Sequence, residues 1–384
     1  MQNYFPLTDY TYTMKIAYLI DQFFEHGGIE KILAQKINYW ITHFGYEVVL
    51  ITCRQQEKPF VYPLVEQVQH IDLNIQYDLS KSYFTRVNIL KSQKHCSALK
   101  QIIKKIKPDV VISTSFTPDQ YFLPYINKSI PKIKELHASG FTLTKNMGGL
   151  KKRLFQTLKK YDRLVVLNER EQAYFPDYPT AIITNFIEAA ATEVADLDKK
   201  KNIILAAGRI APVKQYDHLL KAWAIVAKDF PDWVLHLYGA GDATLKNKLQ
   251  DLINTHQLTT QAYLMGGTQV LAEKMDEAKI FGMTSETECF PMVLLEAQRS
   301  GMVVLSYQSP HGPESIINHD IDGLLTKYND FEEYARRLAG LIGDNQKMHY
   351  LAQNARRNVS RFSADVVMGA WNHLLMTLTQ KDKK

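Results

Sequence analysis

The segment Ser285-Glu-Thr-Glu-Cys-Phe-Pro-Met-Val-Leu-Leu-Glu-Ala297 sets two carboxylates, Glu288 and Glu296, around the start of a helix. Proline lacks an N–H, which costs nothing in a first helical turn, so Pro291 marks where that helix begins. The free N–H groups of the turn, near Met292 and Val293, form a phosphate site strengthened by the positive end of the helix dipole. Glu288 in the preceding loop and Glu296 inside the helix then flank an anion as acceptors for sugar hydroxyls. The same spacing also suits a solvated acidic loop beside an ordinary helix-face glutamate.

A second segment, Ala207-Gly-Arg-Ile-Ala-Pro-Val-Lys-Gln-Tyr-Asp217, falls where a strand gives way to a helix. Arg209 and Lys214 lie in a loop that begins at Gly208, at a strand's carboxyl end. They are suited to neutralising a diphosphate, Arg as a planar fork and Lys as a point charge. Taken singly, each could be a surface charge. With the two-glutamate segment and a Gly239-Ala-Gly241 turn they outline one pocket.

These segments need a scaffold, and the apolar periodicity supplies one. Runs at Met14–Ile20, Glu47–Thr52, Val110–Ser113, Ile133–His137 and Leu164–Leu167 alternate with helix-length amphipathic stretches. The pattern stops near Asn185 and restarts with Asn202–Ala207, Trp233–Tyr238, Ala262–Met265, Lys279–Met283 and Met302–Tyr307. Strand and helix alternation means parallel sheets, so the expected class is α/β with two doubly wound domains. Their expected bounds are 1–186 and 202–384, joined by a linker over 187–201, with the final helix free to return towards the first domain. Ligands of such sheets bind beyond the carboxyl ends of the strands, which two facing domains turn into a cleft.

Composition narrows the function classes. The 384 residues are 46% hydrophobic and 22% charged, an ordinary globular balance. Apolar runs of about five residues are far below the ~18 that cross a bilayer. No signal-peptide pattern opens the chain, so a cytoplasmic setting is expected. Cys53, Cys96 and Cys289 show neither disulfide pairing nor zinc-ligand spacing. Asp196-Leu-Asp198 has the form of a metal-binding Asp-x-Asp but no strand before it, so no metal site is expected. Charge is uneven, with 24 Lys/Arg against 16 Asp/Glu over residues 1–185 and 22 against 24 over the rest. No nucleic-acid-binding module appears. Leu150, Leu154, Phe155, Leu158 and Tyr161, interleaved with Lys151, Lys152, Arg153, Lys159 and Lys160, form a basic amphipathic helix. It suits the anionic inner face of a membrane, and equally a helix packed on its own domain with a solvated basic face.

With these motifs in order, the chain resembles the family 4 retaining glycosyltransferases of the GT-B fold. The likeness rests on Gly208-Arg209…Lys214, on Ser285…Glu288-Cys289-Phe290…Glu296-Ala297 and on Gly301-Met-Val-Val-Leu305. The wording from Phe290 to Ala297, with Ser309–Ile317 and Asp322-Gly323 after it, is similar to the subset that builds bacterial capsule and lipopolysaccharide. The resemblance implies that Arg209 and Lys214 hold a donor diphosphate, Glu296 the ribose and Glu288 the donor sugar. Backbone N–H groups after Phe290 would touch sugar and phosphate. It further implies that Gly27-Gly28 lies beneath donor and acceptor, and that His137 is an active-site histidine.

The activity so implied is retaining, metal-independent transfer of a hexose from a nucleotide sugar, UDP-linked, to a glycan or lipid-linked acceptor, with no cofactor. A nucleotide-sugar 2-epimerase and an inactive GT-B partner subunit are the alternatives on the same fold. The sequence departs from the family at Cys289 (glycine), Val213 and Gln215 (Gln and Gly) and Asn168 (Thr or Ser). A side chain at 289 is expected to narrow the sugar pocket or to require a negative φ.

Overall fold

The computed structural model describes residues 13–145, 148–188 and 196–380. The first sheet contains β1 (Lys15–Ile20), β2 (Glu47–Thr52), β3 (Gln69–Asp72), β4 (Val110–Ser113), β5 (Lys132–Glu135), β6 (Arg163–Val166) and β7 (Thr180–Ile182). The second contains β8 (Lys201–Ala207), β9 (Val234–Tyr238), β10 (Ala262–Gly266), β11 (Ala278–Met283), β12 (Val303–Tyr307) and β13 (Leu324–Thr326). Their orders are β3-β2-β1-β4-β5-β6-β7 and β10-β9-β8-β11-β12-β13, with parallel pairing throughout. In both sheets the strand order therefore reverses beside the first strand, between β1 and β4 and between β8 and β11. Those two switch points are where crevices open at the carboxyl ends.

Parallel strands covered on both faces must be apolar on both faces, and β1, β4, β8 and β12 are buried almost end to end. The chain does not divide cleanly at its middle. The last helix, Ala364–Thr379, inserts Val367, Met368, Trp371 and Leu375 into the core of the first sheet, where Trp371 meets Trp40 edge to face. Of the expected linker, residues 189–195 lie outside the described part, and Ile187 bonds through its N–H to the carbonyl of Phe362.

The basic stretch at Leu150–Tyr161 departs from a regular amphipathic helix. It is a helix over Gly149–Phe155 followed by a 3-10 turn over Gln156–Lys160. Leu158 and Tyr161 are fully buried, and Phe155 stacks on Phe175 at 6.0 Å, so this apolar side is spent inside its own domain. The side chains of Leu150 and Lys151 lie outside the described part. Packing, rather than lipid, explains the apolar periodicity. Among the described residues no helix is long and apolar enough to cross a membrane.

Candidate functional site

The loop after β8 and the loop after β11 meet at the second switch point. Gly208 sits at φ 154, in a region that disfavours side chains, and a Cβ there would lie 3.1 Å from the Tyr216 hydroxyl and 3.2 Å from Lys214 Cε. Gly239 is required by the same loop, because a Cβ on it would fall 2.0 Å from the Gly208 carbonyl. The Gly239-Ala-Gly241 turn thus serves as a bed for the Gly208 loop. Lys214 Nζ reaches Glu288 Oε1 at 2.6 Å, with both side chains largely buried. Arg209 is exposed and makes no ion pair among the described residues, so its guanidinium is free for an anion.

The helix carrying Glu296 runs from Met292 to Arg299, with Pro291 as its N-cap in an extended conformation. Pro291 therefore stands one position earlier than a first-turn proline. The N–H groups of Met292 and Val293 have no backbone acceptor among the described residues, whereas that of Leu294 bonds to the Pro291 carbonyl. Phe290 does not face a ligand with its ring. It is buried edge to face against Phe362 at 5.5 Å, which anchors the loop and leaves its backbone at the site.

Cys289 and Asn168, two of the departures from the family pattern, touch each other. Asn168 Oδ1 accepts from the Glu171 N–H at 2.8 Å, capping the short helix Glu169–Gln172, while its Nδ2 donates to the Cys289 carbonyl at 3.0 Å. The longer amide serves both ends with separate atoms, its oxygen accepting at the cap and its nitrogen donating across the domain boundary. The Cys289 side chain packs with Leu167 and Phe290, and burial pushes its thiol well up. It is an apolar filler, with a φ outside the positive range. Gln215 keeps a glycine-like backbone, φ 44 and ψ 44, as N-cap of the helix Tyr216–Val226.

From the first sheet, α1 (Gly28–Phe44) starts just beyond β1 with Gly27 as its extended N-cap. Nothing lies within 4 Å of where a Gly28 Cβ would stand, so this turn is open to a ligand. Glu30 and Lys31 follow in its first turn. Glu30 accepts from Gln22 Nε2 at 2.8 Å, and burial raises its carboxyl against the opposing pull of its own backbone N–H, of Gln22 and of nearby His137. Lys31 Nζ contacts Glu296 Oε1 at 2.5 Å, clasping the two domains across the cleft. The domains also meet at Tyr174 and His311, 2.8 Å apart, and at Arg170 and Glu314, 2.5 Å apart.

His137 stands two residues beyond β5, with its side chain 6% exposed and Nε2 3.0 Å from Glu135 Oε1. Glu135 is fully enclosed and also binds the Lys36 ammonium and the Tyr18 hydroxyl. Burial alone would raise the Glu135 carboxyl, but Lys36 and His137 outweigh it and hold it far below the ordinary range. Lys36 itself lies 4.5 Å from the Trp371 ring centroid, and burial pulls its ammonium down despite Glu135. The last helix therefore backs the network that orients His137.

Glu30, Lys31, Lys36 and Glu135 were not singled out from sequence. The signal for Lys36 was available: it falls on the buried stripe of α1 with Ile32, Leu33, Ile37 and Trp40. A charge on such a stripe needs a buried partner. Of the Asp-x-Asp pair, Asp196 caps a 3-10 turn through the N–H of Asp198, and Asp198 meets His349 at 3.0 Å. Among the described residues no group of three or more His, Cys, Asp or Glu could hold a metal.

Comparison with known proteins places this geometry. Residues 189–358 match the family model for glycosyl transferases group 1. The chain is 26% identical over 375 residues to an uncharacterized glycosyltransferase of Haemophilus influenzae, covering 94% of this chain and 99% of that one. It is 26% identical over 402 residues to an exopolysaccharide phosphotransferase of Streptomyces coelicolor, covering 96% of this chain but only 41% of that longer protein. It is 24% identical over 371 residues to an α-1,4-N-acetyl-D-galactosaminyltransferase of Campylobacter jejuni, named for an undecaprenol-linked GalNAc-GalNAc-diNAcBac acceptor, covering 94% and 98% of the two chains. Among solved structures, Anabaena HepE in complex with UDP and glucose superposes with a TM-score of 0.74 at 18% identity, covering 95% of this chain and all of that one. The fold is GT-B, and the relatives support a glycosyltransferase.

Proposed function

We propose that the chain is a retaining, metal-independent transferase that moves a hexose from a UDP-sugar to a lipid-linked glycan. The observation that carries this reading is the convergence, at one switch point, of an exposed arginine, a largely buried lysine–glutamate pair and a helix N-terminus with unused N–H groups. Departure of a nucleoside diphosphate builds negative charge, which fixed cations and backbone donors stabilise without reorganising. In front-face transfer the leaving phosphate itself takes the acceptor's proton, and the new bond forms on the side the old one leaves. A lipid-linked acceptor draws support from the Campylobacter relative's named substrate, and UDP from the ligand of the Anabaena structure.

Glu296 is occupied by Lys31 in this structure, and the pair is partly exposed, so it is worth less than about 1 kcal/mol and yields readily to a ribose. Glu296→Ala is expected to weaken UDP binding about tenfold or more, since a hydrogen bond to a carboxylate contributes about 1.5–3 kcal/mol. Arg209→Ala is expected to lower turnover by a similar factor with the fold retained. Both are checked by calorimetric titration with UDP and by donor hydrolysis. The parent experiment is a thermal-shift and hydrolysis screen of UDP-glucose, UDP-galactose, UDP-N-acetylglucosamine and GDP-mannose, since a ligand that binds only the folded state raises its melting point. Stabilisation by the UDP-sugars with slow hydrolysis is the expected result. Indifference to all four would overturn the reading.

A further inference from the structure

The first domain's charge excess has one principal source. Residues 79–107, the lead-in to and body of α2 (Arg86–Ile106), hold eight Lys or Arg and no Asp or Glu. Arg86, Lys94, Lys100, Lys104, Lys105 and Lys107 are exposed and make no ion pair among the described residues. The same stretch carries Leu79, Phe84, Val87, Ile89 and Leu90, each between 44% and 58% exposed. No other stretch of similar length among the described residues gathers as many large exposed apolar side chains. Behind them opens an apolar cavity of about 310 Å³, lined by Tyr83, Phe84, Ile89, Cys96, Tyr121 and Phe122.

We propose that α2 and its lead-in dock the protein on an anionic lipid bilayer, with the apolar cluster in the acyl boundary and the lysines on the headgroups. Val87, Leu90, Lys94, Ser97, Gln101 and Lys104 follow at three- and four-residue steps, so the helical part of the cluster shares one face with cations. A bilayer offers both a hydrocarbon layer and a negative surface, and so matches both halves of that face. A nucleic acid or a soluble polyanion would neutralise the lysines and leave five large apolar side chains in water. The position suits the use. α2 begins where the chain returns from the carboxyl end of β3, on the edge where the first sheet's crevice opens, so docking would bring that rim to the lipid. The surface argument stands on these residues alone, and only its purpose rests on the lipid-linked acceptor proposed above.

The test is flotation of the whole protein with vesicles of phosphatidylcholine alone and of phosphatidylcholine with phosphatidylglycerol, at low and high salt. Wild type is expected to float with the anionic vesicles only, and less at high salt. Each charge removed should weaken partitioning about fivefold, so Lys94→Gln, Lys100→Gln, Lys104→Gln and Lys105→Gln together should abolish flotation. Val87→Ser with Leu90→Ser should weaken it several-fold with all cations in place. Lys152→Gln, Arg153→Gln and Lys160→Gln, on the packed basic stretch, should change it far less. Unchanged UDP affinity in every variant keeps this result separate from that of the donor site. Equal binding to neutral and anionic vesicles, no binding to either, or indifference to the two apolar substitutions would overturn the assignment. Loss confined to the 152–160 variant would equally overturn it, by moving the contact to that stretch.

Discussion

Lys214→Ala is expected to lower turnover about a hundredfold or more while the chain still folds and still binds UDP. Removing one fixed donor from a site of developing negative charge costs that much in other enzymes, because no water or flexible group replaces a preorganised cation in the transition state. Lys214 has the arrangement such a role needs. It lies against Gly208, where any larger residue would push it aside, and it is steered by Glu288 at 2.6 Å. Before a donor arrives, Glu288 keeps the ammonium in place. In the proposed reaction an arriving diphosphate would draw the cation to itself and free Glu288 for a sugar hydroxyl. The measurement is steady-state donor hydrolysis beside a UDP titration. A variant with full turnover would show the pair to be structural.

Glu135→Gln is expected to be strongly destabilising. It leaves the Lys36 ammonium buried without an anion, and breaking a buried ion pair by removing one partner costs about 3–5 kcal/mol. For a domain of this size that lowers the melting point by about 10 °C. Lys36→Met with Glu135→Gln should recover much of the loss, since the methionine removes the uncompensated charge and leaves only a neutral amide facing Tyr18 and His137. The double variant should still be slow, because His137 no longer has its carboxylate. The pH dependence has a definite sign. The folded Glu135 carboxyl lies below its unfolded value, so its contribution is complete above the unfolded range near 4.5 and fades as pH falls towards the folded value. Wild type and Glu135→Gln should therefore converge in stability on acidification. A gap that widened in acid would contradict the network as drawn.

Much of this architecture is legible in the sequence, and what escapes has physical causes. The ten strands read from apolar runs all exist with ends shifted by at most two residues. The three that were missed, β3, β7 and β13, are short edge strands. An edge strand has one neighbour and more solvent, so Gln69-His-Ile-Asp72 carries no apolar run to read. α2 escaped because two of its four buried residues are Asn88 and His95, which breaks the apolar stripe. Asn88 is satisfied by the backbone of Asp78 and Ser82, and His95 by Tyr77, so polar groups fill core positions.

The site divides in the same way. Lys214, Glu288 and Glu296 belong to local motifs in the loops and helix that follow two strands, and such motifs can be read along the chain. Lys31 meeting Glu296, or Lys36 meeting Glu135, depends on how two sheets and a returning helix pack. Asn168 and Cys289 look like two unrelated departures in sequence, and only the hydrogen bond between them shows one cross-domain contact.

The proposed front-face transfer relies on fixed cations rather than a metal. It is tested most directly by following, with proton NMR in excess EDTA, the anomer of the hexose first released or transferred from an α-linked UDP-sugar. The α-anomer is expected to appear first, at a rate unchanged by the chelator. Initial formation of the β-anomer, or a reaction that stops in EDTA and resumes with manganese or magnesium, would contradict it.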